Sequence, residues 1–231
     1  GSRVIPSALA MAKHRAKEIF LEYGIRTPKY LLIGPEEESY HEASVKALRM
    51  SSGPWIVKPA SAGSSVGVSI AKTLHEIPYA IEKARFHDDL ILIEEFIRGR
   101  EASVGIIENF RGKEIYSLPA VEINPPIGSS FFDYSAKYGG ASREICPGNF
   151  TKKEKIELED LAVRIHKAIG LSHYSRSDFI VSMRGIYALE ANTLPGLTNE
   201  SLFPKSLNAV GATLREFLNH IISLAYSRSV N

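Results

Sequence analysis

Cysteine is almost missing from this chain: one residue, Cys146, occurs in 231. No internal disulfide can form, which rules out a stapled secreted scaffold and fits a reducing cytosol. Long apolar runs are missing as well. None approaches the roughly 20 residues that a membrane-spanning helix needs. Near the start, Arg3 precedes Val4-Ile5, but Pro6 and Ser7 interrupt the run and Lys13 and His14 follow, which is not the form of a signal peptide. Excess charge of one sign is also lacking. The balance is 28 Lys and Arg against 26 Asp and Glu, a net +2. There is no basic run with interleaved aromatics, which argues against a dedicated nucleic-acid binder. The 7 histidines show no metal-ligand spacing. No Ser-His-Asp order, internal repeat or low-complexity tract is readable.

What remains is a soluble globular composition, 23% charged and 44% hydrophobic. The length suffices for one large domain or two small ones with a sizeable core. Gly1-Ser2 has the form of a protease scar, so the natural chain is expected to extend upstream.

The most informative stretch is Tyr174–Ser201. Alternation over Ser175–Ser182 and Ile186–Asn192 predicts two half-buried strands. Met183-Arg184-Gly185 between them predicts a three-residue hairpin loop with a left-handed glycine. That loop pairs Ser182 with Ile186, and therefore Asp178 with Glu190. Cross-strand partners share a face, so Asp178, Glu190 and Asn192 would lie together with Arg176 beside them. Phe179, Val181, Tyr187 and Leu189 would fill the other face. A two-residue loop would slip the register and separate the acids. Two carboxylates and an amide oxygen are hard ligands that suit Mg²⁺, which usually completes its shell with water and phosphate. The same pattern also fits an ordinary ion pair on a solvated strand face.

Elsewhere, Ser7–Tyr23 reads as one helix, capped by Ser7 and ended by Gly24, with Met11, Ala12, Ile19, Phe20 and Tyr23 buried. Tyr30–Ile33 is a short strand, and a helix runs from Pro35 to about Arg49. Trp55–Lys58 and Val66–Ile70 read as strands around the small-residue loop Ser61–Ser65. Such a loop can bring N–H groups and hydroxyls to an anion beside Lys58, or be a plain hairpin loop. It is neither a Walker A loop nor a G-x-G-x-x-G turn. A helix follows over His75–His87, and Leu90–Ile97 and Ala102–Glu108 are strands. Lys113–Ile123 gives one or two more. Pro125–Gly148 is irregular, and a long loop inside a domain is usually functional or mobile. Thr151–Ile169 is the clearest helix, with a Thr151/Glu154 capping box, Ile156, Leu161, Ile165 and Ala168 buried, and Gly170 at its end. Pro204–Tyr226 supplies closing helices interrupted at Gly211.

Five blocks then occur in order: IVKPASAGSSVGVS, LIEEFIRGREASVG, FFDYSAKYGGASREICPG, YSRSDF and LEANTLPGLTNESLFPK. Together they resemble the D-alanine–D-alanine ligases of the ATP-grasp superfamily, from Ser7 onward. The resemblance implies an α+β, ATP-grasp fold: two lobes with mainly antiparallel sheets enclosing a nucleotide cleft. Residues 1–6 would be scar and linker, 7–95 the central lobe and 96–231 the C-terminal lobe. It also implies that the family's N-terminal domain, which holds the first D-alanine, does not lie within this chain.

Carried over by matching position, Lys13 and Lys58 contact the nucleotide phosphates, and Ser64, Ser65, Val66 and Gly67 form the loop that closes over them. Glu94, Glu95, Phe96 and Ile97 border adenine, and Glu101 binds the ribose. Asp178, Glu190 and Asn192 hold two Mg²⁺ or Mn²⁺ ions. Arg176 and the Gly196 N–H match the oxyanion site, with Ser64 also among the catalytic positions. Lys137 and Tyr138 match a mobile loop over nucleotide and substrate. Tyr138 favours an amine acceptor over lactate. Ser201 and Leu202 match the pocket for the second D-alanine. The implied reaction joins two D-alanines through a D-alanyl phosphate, for peptidoglycan synthesis in the cytoplasm, by a homodimeric full-length protein. Two alternatives stay open: a Mg-nucleotide-binding module without turnover, and an ATP-grasp ligase for another amino acid.

Overall fold

The apolar residues sort into two layers, each a sheet backed by helices. A computed structural model describes residues 1–36, 39–124 and 143–230. The first sheet contains β1 (Tyr30–Ile33), β2 (Trp55–Pro59), β3 (Ser69–Ala71) and β4 (Ile91–Glu95), in the order β1-β4-β2-β3. All its pairs are antiparallel. Helices α3 (Tyr40–Met50) and α4 (Glu76–Arg85) cover one face through Ala43, Ala47, Ile77 and Ile81, packed on Trp55, Val57 and Ile93. Strand alternation sends Ile56, Lys58 and Glu94 to the opposite, open face.

The second sheet is built on the long strand β5 (Arg100–Phe110). Its order is β10-β9-β5-β7-β8, with β6 (Lys113–Ser117) paired to the far end of β5. The other members are β7 (Val121–Asn124), β8 (Arg143–Ile145), β9 (Tyr174–Ser182) and β10 (Gly185–Asn192). Helix α5 (Lys152–Ile169) backs it through Leu158, Leu161, Ala162 and Ile165. Its capping box is present as Thr151 and Glu154, and Gly170 ends it at φ +74°. Buried His166 ties this helix to the sheet, bonded to Ser175 Oγ at 2.7 Å and Glu108 Oε1 at 3.2 Å. The closing helices α6 (Leu202–Ala209) and α7 (Leu214–Val230) bring Phe203 and Phe217 against Tyr174. Gly211 separates them at φ +68°.

Several elements depart from expectation. The first helix is two: α1 (Val4–Met11) and α2 (Lys13–Glu22), broken at the extended Ala12. The break frees the Lys13 N–H to donate to Ala60 O, 2.8 Å away at the exit of β2. Ser7 caps nothing, because α1 already begins at Val4. The buried stripe is also rotated. Met11 and Tyr23 are more than half exposed, while Ala10, Lys13, His14, Ala16, Lys17 and Phe20 are buried. Ala10, Ala16 and Phe20 join the core of the second sheet, so α1 and α2 pack on it. Helix α3 starts five residues after Pro35, where Ser39 accepts the Glu42 N–H. Ile156 faces solvent on α5, its place taken by Leu158 and Ala162. The Lys113–Ile123 region divides into β6 and β7.

Candidate active site

An open cleft of about 1320 Å³ lies between the two sheets. Lys13, Lys58, Ser64, Ser65, Val66 and Glu94 through Ile97 line it on one side. Glu101, Arg176, Asp178, Glu190 and Asn192 line the other, and Gly196, Ser201 and Leu202 lie at its end. Gly67 is beside the loop but does not line the cleft. Lys137 and Tyr138 lie outside the described residues.

The acidic wall depends on an irregularity. The β9–β10 loop is Met183-Arg184, since Gly185 pairs with Ser182. The expected Ser182–Ile186 pairing is therefore absent: Ile186 faces Val181. A two-residue loop should separate the acids, but the register shifts between Ala188 and Glu190. The extra residue is Leu189. The bulge restores Glu190 opposite Asp178, and Asn192 opposite Arg176. It also changes the faces. Ile186, Ala188 and Ala191 join Phe179 and Val181 in the core, whereas Tyr187 and Leu189 pack with Ile97 and Ile180 apart from it.

Arg176 grips Asp178 with two hydrogen bonds, from Nε to Oδ1 at 3.0 Å and from Nη2 to Oδ2 at 2.8 Å. Ser103 Oγ on β5 donates to the same Oδ1 at 2.6 Å. Burial disfavours the Arg176 charge, but the Asp178 carboxylate outweighs it and holds the guanidinium above its ordinary pKa. Among the described residues, no three His, Cys, Asp or Glu side chains gather as a metal cluster. The oxygen set is thus two carboxylates and an amide: Asp178, Glu190 and Asn192. Asn192 Oδ1 also accepts the Leu194 N–H at 3.1 Å, which fixes its orientation. Hard oxygens on an open wall, facing lysines across a gap, fit Mg²⁺ or Mn²⁺ sharing its shell with a phosphate.

The cationic wall begins at α2. Lys13 Nζ donates to Ala62 O at 2.7 Å and pairs with Glu190 Oε2 at 3.3 Å, so it bridges the small-residue loop to the acidic wall. Ser64 and Ser65 both adopt left-handed backbone, φ +53° and +58°. Val66 N–H closes the turn onto Gly63 O at 3.1 Å. Lys58 Nζ lies 2.9 Å from Glu94 Oε1. The same oxygen is 3.1 Å from Lys17 Nζ. Glu94 is thus buried beneath two ammonium groups. Burial alone would raise its pKa, but the two cations outweigh burial and hold it below the carboxylate range. Complete burial lowers the Lys17 ammonium to about 8 even with Glu94 beside it.

Glu95 is committed as well, accepting the Lys29 N–H at 3.1 Å and pairing with Arg184 at 3.4 Å. Phe96 N–H donates to Pro54 O at 3.0 Å. This segment joins β4 of the first sheet to β5 of the second, with the Ile97–Ile180–Tyr187 cluster beneath it. At the far end, Ser201 Oγ bonds Thr198 Oγ1 at 2.9 Å, and Leu202 packs on Ile123. The whole has an apolar crossing segment, a cationic wall and an oxygen wall. That combination suits a flat apolar ring carrying a polyanion, bridged by a divalent cation.

The sequence gives Lys17 no role and places Leu189 on the apolar strand face rather than at a bulge. Lys17 had a signal, since it lies four residues after Lys13 and next to the buried Ala16. Leu189 had none.

Comparison with known proteins agrees with this geometry. Residues 19–223 match the family model described as D-ala D-ala ligase C-terminus. The chain is 38% identical over 232 residues to the D-alanine–D-alanine ligase of Desulfotalea psychrophila, covering 99% of this chain and 70% of that protein. It is 38% identical to the ligase of Halalkalibacterium halodurans, over 99% of this chain and 73% of that one. Among solved structures, D-alanyl-alanine synthetase A from Vibrio cholerae superposes with a TM-score of 0.85 at 32% identity, covering 96% of this chain and 67% of that chain. The VanG D-Ala:D-Ser ligase from Enterococcus faecalis gives 0.83 at 31%, over 96% and 64%. The chain thus spans about 70% of the length of the first two relatives and about two thirds of those two structures.

Proposed function

The chain belongs to the D-alanine–D-alanine ligase family, ATP-dependent enzymes of peptidoglycan synthesis with an ATP-grasp fold, and on that premise we propose how its residues divide the reaction. Lys13, Lys58 and the Ser64-Ser65 turn hold the phosphates of ATP. The Glu94–Ile97 segment borders adenine, and Glu101 takes the ribose. Asp178, Glu190 and Asn192 hold two Mg²⁺ or Mn²⁺ ions. Held there, such ions would offset negative charge on the transferring phosphoryl group.

The carboxylate of the first D-alanine attacks the γ-phosphorus, ADP leaves, and a D-alanyl phosphate results. The amine of the second D-alanine attacks the acyl carbon, loses a proton, and inorganic phosphate leaves. Arg176 and the Gly196 N–H donate to the tetrahedral oxyanion. Ser201 and Leu202 shape the acceptor end, and Tyr138, outside the described residues, is assigned to amine selection. Lys137, its neighbour in sequence, is assigned to nucleotide and substrate. Residues 7–95 and 96–231 are the two lobes of this reading, with α1 and α2 packed on the second. The full-length protein acts in the cytoplasm as a homodimer.

One observation carries the reading: Arg176, Asp178, Glu190 and Asn192 share a wall of the cleft, and Lys13, which also lines the cleft, pairs with Glu190 at 3.3 Å. The test is phosphate release by the full-length protein with Mg-ATP. D-alanine should trigger release, and response to L-amino acids alone would overturn the reading. Because one similar structure is a D-Ala:D-Ser ligase, D-serine enters the assay as a second acceptor.

A further inference from the structure

Lys17 is a fully buried lysine to which the reaction scheme gives no role. No part of its side chain is exposed, and it lies behind Lys58, whose side chain retains 11% exposure and lines the cleft. Burying an ammonium in a helix face is costly, so each of its partners matters. Lys17 Nζ donates to Thr27 Oγ1 at 2.7 Å, and Thr27 Oγ1 donates to Ala188 O at 2.8 Å, just before the Leu189 bulge. Lys17 Nζ also lies 5.5 Å from the centre of the Tyr30 ring. Among the described residues, its one counter-charge in ion-pair range is Glu94 Oε1 at 3.1 Å, the oxygen that Lys58 shares at 2.9 Å.

One carboxylate oxygen thus faces two cations, one at the cleft wall and one sealed behind it. If Lys58 were alone on Glu94, drawing its ammonium to a phosphate would strand a buried carboxylate without a counter-charge. With Lys17 in place, Glu94 keeps a partner whatever Lys58 does. We propose that Lys17 is a positioning residue for nucleotide binding: the standing counter-ion of Glu94 that releases Lys58 to engage a phosphate. This rests on the nucleotide site proposed above. The Thr27 bond adds a second link, from the same ammonium to the strand that presents Glu190.

The test is calorimetric titration of the full-length protein with Mg-AMPPNP and, separately, with adenosine. Lys17→Met should weaken AMPPNP about tenfold or more, the cost of a stranded buried charge, and leave adenosine within about twofold. Lys17→Arg, which keeps the charge, should recover most of the AMPPNP loss. A purely structural role would lower the thermal midpoint and weaken both ligands alike, or neither, and either result overturns the proposal. A crystal structure of the wild type with Mg-AMPPNP decides the matter should Lys17→Met not fold. Lys58 Nζ should then lie beyond about 4 Å from Glu94 and on a phosphate oxygen, with Lys17 still in ion-pair range. Lys58 still paired to Glu94 there overturns it. A wild type that binds no AMPPNP overturns the nucleotide site and this proposal together, whereas tight wild-type binding unchanged in Lys17→Met overturns this proposal alone.

Discussion

Glu190 stands opposite Asp178 across the β9–β10 ladder, and Leu189 is the extra residue that puts it there. The two-residue Met183-Arg184 loop alone would have set the two acids one step apart. The bulge adds the missing step and turns Tyr187 and Leu189 toward Ile97 and Ile180. The metal-binding reading thus depends on one unpaired position in an otherwise regular hairpin.

If Glu190 holds a divalent cation, Glu190→Gln removes a ligand charge without changing the side chain's volume. Turnover of Mg-ATP with D-alanine should fall about 100-fold or more, the loss of a few kcal/mol of charge stabilisation. The thermal midpoint should move little, because the Lys13–Glu190 pair is part exposed and such pairs contribute about 1 kcal/mol or less. Phosphate release and a melting curve on the same preparation check both halves. Retained turnover would show that the metal is held elsewhere.

Gly196 approaches Ser201 closely. A Cβ placed there would meet Ser201 Oγ at 2.8 Å, and that hydroxyl is already bonded to Thr198. Gly196→Ala should therefore displace Ser201 and raise the KM for the acceptor D-alanine about five- to tenfold, roughly 1 kcal/mol. Initial rates at varied D-alanine and varied ATP separate this from a general loss, since the KM for ATP should stay put. A change in the ATP term instead would place Gly196 on the nucleotide side.

Titration of the buried cluster sets the pH dependence of stability. Glu94 has a folded pKa below its ordinary 4.5, so its contribution is complete above 4.5 and is lost as pH falls through the folded value. Lys17 has the opposite sense. Its folded pKa, about 8, lies below the ordinary 10.5, so between those values the unfolded chain binds the extra proton and stability rises with pH. Urea unfolding across pH should show the wild type gaining on Lys17→Met from about 8 to 10.5, and losing on Glu94→Gln in acid. Parallel curves for all three proteins would contradict both assignments.

Helix α5 starts at a reciprocal cap: Thr151 Oγ1 accepts the Glu154 N–H at 3.2 Å, and Glu154 Oε2 accepts the Thr151 N–H at 2.7 Å. Glu154 also pairs with Arg100 on β5 at 2.7 Å. Thr151→Ala should cost about 1 kcal/mol, read as a lower denaturation midpoint with unchanged slope. Ligase activity should be unaffected, since Thr151 lies outside the cleft.

Much of the architecture was legible because its causes are local. The capping box and left-handed Gly170 bound α5 from residue chemistry alone. Trp55 and Val57 alternate with Ile56 and Lys58 as a one-sided strand must. Tyr30–Ile33 needed no correction. The errors fall where a distant partner decides. Ser7 reads as a cap, but the chain is helical from Val4. Ala12 reads as mid-helix, but its backbone is extended and the Lys13 N–H that follows bonds Ala60 O instead of continuing the helix. Ile156 has the right spacing for burial, but α5 rolls so that Leu158 and Ala162 meet the sheet.

The sequence by itself determined which groups are available and in what order: two lysines and a small-residue loop, then an acidic crossing segment, then Arg176, Asp178, Glu190 and Asn192. Alternation, turn residues and caps act over a few neighbours, so those groups could be assigned to strands and loops from the chain alone. Only the tertiary structure decided which of them meet. The bulge at Leu189 sets Glu190 opposite Asp178 and seats Leu189 against Ile97, Ile180 and Tyr187, contacts that span distant parts of the chain. The burial of Lys17 depends on two sheets closing over one helix face. A lysine in a sequence carries no sign of whether water or a carboxylate will surround it, and here Glu94, 77 positions along the chain, supplied the answer.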